Sequence, residues 1–283
     1  MAEQTRPPKL RVPAGACDCH MHFYGPEDRY PTAPTALFLP PLASVADYRE
    51  VQTRLGLERV VVVQPTSYGT DNRCTMDCVA KLGDQARAVV VVDRTADDAE
   101  LERLTAEGAR GIRFHMLPGG ALPWSILKEM AARVQSFGWH VQLQLDGREL
   151  PEREAMLRRL PCALVIDHVG KFLGPVTPDN GAFQCLLRLL ESGRVWIKLS
   201  APYETSQVGP PGYDDVGTLA KALVRAAPER MLWASNWPHP GQTGERRPDE
   251  AALLDLLLDW APDETTRRRI LVDNPATLYG FPE

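Results

Sequence analysis

Eight short runs rich in β-branched and other apolar residues recur along this chain, each separated from the next by a stretch long enough to hold a helix. The runs cover 17–22, 59–64, 88–93, 111–115, 140–145, 164–168, 195–200 and 231–236. Between most of them, at 45–55, 75–82, 96–107, 124–137, 152–160, 182–191 and 213–226, apolar residues return at helical spacing. Gly56, Gly108, Gly138 and Gly193 follow such segments as helix-ending residues. Nearly continuous apolar strands alternating with helices form a parallel sheet that helices cover. Eight units in 283 residues predict an α/β protein of the closed (β/α)8, or TIM, barrel type. An open doubly wound sheet is the alternative, but no Gly-x-Gly-x-x-Gly turn follows the first strand. Further helices are expected at 249–260 and 263–271, and the segment 273–281 is expected to pack across the barrel.

Residues 16–283 read as one barrel domain, and residues 1–15 as a polar tail that packs on the surface or is disordered. This tail has no apolar core of the kind a secretory signal carries. A net charge of -5 offers no electrostatic case for nucleic acid or an anionic membrane, so neither is expected as a partner. No apolar run approaches the roughly 18 residues of a membrane span. Six cysteines without a signal sequence read as free thiols of a cytoplasmic protein. Cys74-x-x-x-Cys78 resembles half of a zinc knuckle whose second half is missing.

Period-two alternation assigns the strand faces. In strand one Asp18, His20 and His22 share a face, with Cys17, Cys19 and Met21 on the other. Arg113 and His115 fall together on strand four, Gln142 and Gln144 on strand five, and Lys198 and Ser200 on strand seven. His168 is in phase with Ile166, and Asn236 with Ala234 and Leu232. Taken singly, His140 or Gln142 reads as a hydrogen-bonded core residue. The set reads differently, because burying so many polar groups together costs several kcal/mol unless each is paired or solvated. A pocket at the carboxyl ends of the strands, where barrel enzymes carry their chemistry, removes much of that cost.

The motifs Cys-Asp-Cys-His-Met-His (17–22), Gly-Ile-Arg-Phe-His (111–115), Gln-Leu-Gln (142–144), Val-Ile-Asp-His-Val-Gly (165–170), Ile-Lys-Leu-Ser (197–200) and Trp-Ala-Ser-Asn-Trp-Pro-His-Pro (233–240) occur in order. Together they resemble the amidohydrolase-related family typified by 2-pyrone-4,6-dicarboxylate hydrolases, from about Ala16 to Phe281. The resemblance implies a barrel acting on a carboxylated lactone, as its hydrolase and aldarate lactone isomerase members do. In the wider superfamily a metal is held by the strand-one His-x-His, a lysine or glutamate on strand four, histidines on strands five and six, and an aspartate on strand eight. This chain departs from that set at Arg113, at Gln142 and Gln144, and at Asn236. His20, His22 and His168 remain, and would be the ligands of a Zn2+ ion if one were bound. With Arg113 beside them and no carboxylate expected in their shell, a site without cofactor or metal is the favoured reading.

The expected roles follow. His20, His22 and His168 polarise the lactone carbonyl, with Asn236 at the position of the usual base. Arg113 and Lys198 hold a substrate carboxylate; His115, Gln142, Gln144, Ser200, Tyr203 and His239 complete the binding set. Ser67, Tyr68, Asn72 and Tyr30 close the rim, or serve only as turn residues. Asn236 cannot accept a proton at neutral pH. The base is therefore a histidine, or Asp18, or none is needed because a substrate hydroxyl attacks intramolecularly. Lactone hydrolysis is the first expectation and lactone isomerisation the second. A zinc hydrolase or decarboxylase, and a non-catalytic barrel binding a small carboxylate, are the alternatives. The sequence specifies neither the particular lactone nor an oligomeric state.

Overall fold

The computed structural model describes residues 6–281. Eight parallel strands, β1 (Cys17–Met21), β2 (Arg59–Val63), β3 (Ala86–Val90), β4 (Ala109–His115), β5 (His140–Gln144), β6 (Leu164–Ile166), β7 (Val195–Leu199) and β8 (Met231–Trp233), pair in sequence order. Helices α1 (Val45–Leu55), α2 (Arg73–Leu82), α3 (Asp98–Ala106), α4 (Leu127–Gln135), α5 (Leu150–Leu157), α6 (Gly181–Leu190), α7 (Asp214–Ala226) and α8 (Glu250–Asp255) surround them. This is the expected (β/α)8 barrel. The last seam is closed beyond β8, where Asn236 N donates to His20 O at 2.8 Å and His22 N donates to Trp237 O at 2.8 Å.

Two apolar layers explain why these runs fold as they do. Val60, Val62, Val90, Ile112, Phe114, Leu143 and Ile197 face outward, onto helix residues such as Leu104, Met130, Leu186 and Leu223. Cys17, Cys19, Val61, Val63, Val89, Val165, Trp196 and Leu232 fill the barrel interior, with Tyr279 and Phe281 of the C-terminal segment in the same cluster. Each such side chain, fully buried, is worth roughly 1.5–3 kcal/mol. Gly111 is needed for contact inside the barrel: a Cβ there would lie 2.5 Å from His140 Nε2. All six cysteines are buried free thiols.

Strict alternation fails at two strands. The β1–β2 register shifts between Asp18 and Met21, so Cys17 and Cys19 point into the barrel although His20 and His22 do so as well. Asp18 is not on the histidine face. Its carboxylate accepts from Ser235 N at 3.0 Å, Ser235 Oγ at 2.5 Å and Tyr48 Oη at 2.9 Å, and it fastens the seam. In β6 the inward residue is Val165 and Ile166 faces the helices, so phase alone would turn His168 outward. Positive φ at His168 (53°) and Val169 (55°) breaks the alternation. β3 begins at Ala86, earlier than expected, because Ala86 pairs with Val60; a continuous apolar run does not mark its own ends. Of the tail, Lys9 N and Leu10 N dock on the Asp255 carboxylate, while residues 1–5 lie outside the described residues. Among the described residues no helix is long and apolar enough to cross a membrane.

Candidate active site

The carboxyl ends of the strands bring together a buried polar cluster beneath a cavity of about 350 Å³. At its floor His22 Nδ1 lies 2.8 Å from Val63 O. A carbonyl only accepts, so this nitrogen carries the proton of the neutral ring and Nε2 holds a lone pair. His20 Nε2 faces that lone pair at 3.2 Å, with the rings perpendicular at 89°. His20 is therefore the Nε2–H tautomer. Its Nδ1 is free to accept from Lys198 Nζ at 3.2 Å and from Gln142 Nε2 at 3.4 Å. Gln142 is fixed at both ends, its Oε1 accepting from Lys198 at 2.6 Å and its Nε2 donating to Asp167 Oδ2 at 3.0 Å. Asp167 Oδ1 lies 3.3 Å from His20 Nδ1 and 3.5 Å from Lys198 Nζ.

Burial sets the charge states. It pushes His22 down to about 3, with Arg113 adding to the effect, and His115 down to about 3 for the same two reasons. His20 and His168 are likewise held well below the ordinary imidazole range, first by burial. For Asp167 burial pulls upward, but the nearby charge of Lys198, with Arg113 and the hydrogen bond from Gln142, leaves the carboxyl below its usual range. The neutral imidazoles thus surround one buried ion pair.

The cavity wall contains His22, Arg113, His115, Gln144, His168 and Asn236 of the expected set. Arg113 donates from Nη1 to Gln64 O at 2.8 Å and from Nη2 to Gln144 Oε1 at 2.9 Å, and its buried Nε has no protein partner among the described residues. His168 Nδ1 is 2.8 Å from Ser200 Oγ, so Ser200 orients the ring from beneath the cavity. His20, Gln142 and Lys198 lie deeper. Lys198 is fully buried and turned toward Asp167, so it is not placed to meet a substrate carboxylate. Lys171, ion-paired with Glu204, is instead the lysine that lines the cavity.

The remaining expected residues stand elsewhere. Tyr203 and His239 lie behind Asn236, joined to each other at 3.0 Å. Tyr30 Oη donates to Asp77 at 2.6 Å, Tyr68 Oη accepts from Gly25 N at 3.0 Å, and Asn72 clamps both backbone groups of Val91. Ser67 is buried, and its neighbour Thr66 reaches the cavity instead. Asp167, Lys171, Glu204 and Tyr24 were not among the expected residues. Asp167 was recoverable, since with Val165 it follows the true phase of β6. Lys171 and Glu204 sit in irregular segments that carry no periodic signal. Asp167 also corrects the expectation of a shell without a carboxylate: donors of His20, Asp167 and His168 lie within 4.8 Å of one another.

A parallel barrel with a strand-one His-x-His and a polar cluster at the carboxyl ends of its strands defines a class of barrel enzymes. The chain belongs to the amidohydrolase family, whose profile it matches over residues 17–281. It is 38% identical to the D-galactarolactone isomerase of Agrobacterium fabrum (strain C58) over 275 residues, covering 96% of this chain and 93% of that one. It is 36% identical to the 2-pyrone-4,6-dicarboxylate hydrolase of Comamonas testosteroni over 286 residues, covering 98% and 93%. An apo crystal structure from Agrobacterium tumefaciens superposes with a TM-score of 0.91 at 38% identity, covering 97% of this chain and 99% of that one.

Proposed function

We propose that this protein is a metal-independent enzyme that isomerises a carboxylated lactone, using the substrate's own hydroxyl as nucleophile. Asn236 carries this reading. It lines the cavity at the strand-eight position, and its Nδ2 is committed to Tyr203 Oη at 2.9 Å and Glu204 Oε1 at 3.3 Å. An amide takes no proton at neutral pH, so it cannot activate water as an aspartate would. Asp18 is spent on the barrel seam, and Asp167 lies beneath the cavity against Lys198 and Gln142. An intramolecular hydroxyl, held in place, needs less activation than free water because positioning replaces a bimolecular encounter. Similarity to a lactone isomerase and to a lactone hydrolase supports the substrate class.

Arg113 and Lys171 hold the substrate carboxylate in this reading. His168, with Nδ1 accepting from Ser200, donates its Nε2–H to the lactone carbonyl oxygen; one such donor is worth roughly 2.7–4 kcal/mol of barrier. The hydroxyl oxygen bonds to the carbonyl carbon and the ring C–O bond breaks. The proton passes from the attacking to the leaving oxygen, so no water is consumed.

The donor set does not fit a divalent ion. A metal-bound His20 would donate from Nδ1 to an outer partner; Asp167 Oδ1 lies 3.3 Å from that nitrogen, but the Lys198 ammonium lies closer, at 3.2 Å. The one carboxylate of the cluster is already balanced by Lys198, and Arg113 adds a second buried cation.

Hydrolysis is the second reading, favoured by Glu204, the one carboxylate in the cavity wall among the described residues. A panel of aldarolactones and pyrone dicarboxylates followed by NMR and proton release tests the proposal. Isomeric lactone without acid release is expected. Stoichiometric acid would establish the hydrolase, and saturable binding without turnover a carboxylate-binding barrel.

A further inference from the structure

Behind Asn236 runs a chain of hydrogen bonds that ends on a carboxylate at each side, so the bonds at its two ends run toward those carboxylates. At the cavity end an amide atom of Asn236 lies 3.3 Å from Glu204 Oε1. A carboxylate only accepts, so that atom is Nδ2 and the amide cannot be flipped. The same Nδ2 donates to Tyr203 Oη at 2.9 Å. Tyr203 Oη lies 3.0 Å from His239 Nδ1, and His239 Nε2 lies 3.1 Å from Glu250 Oε1. Glu250 is fully buried, and Arg54 Nη2 donates to its other oxygen at 2.5 Å. Burial pulls this carboxyl upward, but the bonds from His239 and Arg54 bring it down to about 2, so it is ionised. With the ring in its single-proton form, His239 donates from Nε2 to Glu250, and its Nδ1 accepts the Tyr203 O–H.

Both amide protons of Asn236 are spent inside the protein. Among the described residues no protein group donates to its Oδ1, although the residue lines the cavity.

We infer that Tyr203, His239 and Glu250 are positioning residues that lock the Asn236 amide with Oδ1 toward the cavity, where it accepts the O–H of the attacking substrate hydroxyl. The orientation matters because a flipped amide would present an N–H to that hydroxyl and bind it in the wrong sense. His239 sits at φ 66° and Asn236 at φ 59°, so the loop after β8 holds both residues in left-handed backbone rather than leaving them free to adjust. Tyr203, His239 and Glu250 bond neither to Arg113 nor to Lys171, so their loss changes the chemical step rather than binding.

The inference rests on the proposed lactone reaction, and the test separates the two. Protein labelled with 15N-histidine, examined by NMR without substrate, should show His239 as the Nε2–H tautomer with an unprotonated Nδ1. A Nδ1–H tautomer or an imidazolium would overturn the inference, whatever the enzyme turns over. With a lactone that the wild type converts, Tyr203→Phe should lower kcat about tenfold, the equivalent of one neutral hydrogen bond, with KM unchanged. His239→Gln can still accept from Tyr203 and donate to Glu250, so it should retain most of the wild-type kcat. An unchanged kcat in Tyr203→Phe, or a KM effect alone, would overturn the inference. If the wild type converts no lactone, the proposed reaction fails while the NMR result still decides the tautomer.

Discussion

Lys198 Nζ stands 3.2 Å from His20 Nδ1, on the side of the ring opposite His22. This contact and the carbonyl of Val63 at the other end give the histidine pair one proton order: Lys198 to His20, His20 to His22, His22 to Val63. The pair that reads in sequence as two carbonyl donors is, in the structure, a polarised wire. His22 presents a lone pair rather than an N–H, which leaves His168, of the three histidines expected to polarise the carbonyl, as the donor in the proposed reaction.

Lys198 and Asp167 form a fully buried ion pair, so removing one partner leaves an uncompensated charge. Lys198→Met should cost about 3–5 kcal/mol of stability, and the double variant Lys198→Met with Asp167→Asn should recover most of it. Urea denaturation midpoints check this; additive losses in the double variant would contradict it.

Stability should fall on mild acidification. Burial holds His22 and His140 at about 3, below the ordinary value of the unfolded chain. Between those values the unfolded state binds more protons, so stability rises with pH through that window and is complete above it. Each such histidine contributes a slope of up to about 1.4 kcal/mol per pH unit. The depressed Asp167 carboxyl adds a further loss at lower pH, as it is protonated. Urea midpoints measured from about pH 7 to about pH 5 should decline steadily; a flat profile would show that these imidazoles are charged in the folded protein.

Asn236→Asp alone should be a poor hydrolase. The new carboxylate would replace an amide that lies 3.3 Å from Glu204 Oε1, and two carboxylates at that range do not both ionise readily. Asn236→Asp combined with Glu204→Gln should release acid from the lactone faster than either single variant. Proton-release assays of the three variants test this, and equal rates would argue against water activation at position 236.

The purified protein should hold well under one equivalent of zinc, and chelators should leave its turnover unchanged. Elemental analysis of protein prepared without added metal decides this. About one equivalent of zinc, with activity lost on chelation, would show that the His20, Asp167 and His168 donors are ligands after all.

The barrel was legible in the sequence because strand and helix periods are strong wherever a face is uniformly apolar, as in 59–63 and 182–190. The cavity wall was legible where strands carry polar residues at their ends, as at Arg113, Gln144 and Asn236. Alternation failed where the backbone leaves the regular strand: at the β1 register shift, which moved Asp18 to the seam, and at His168, which positive φ brings inward. Lys171 and Glu204 could not be read for a related reason. They meet across two loops, and an ion pair between irregular segments leaves no local pattern.

If the nucleophile is the substrate's own hydroxyl, turnover of a carboxylated lactone in H2(18)O, with products analysed by mass spectrometry, should yield an isomeric lactone carrying no 18O from solvent. An open-chain acid with one 18O in its new carboxylate would contradict this and make water the nucleophile.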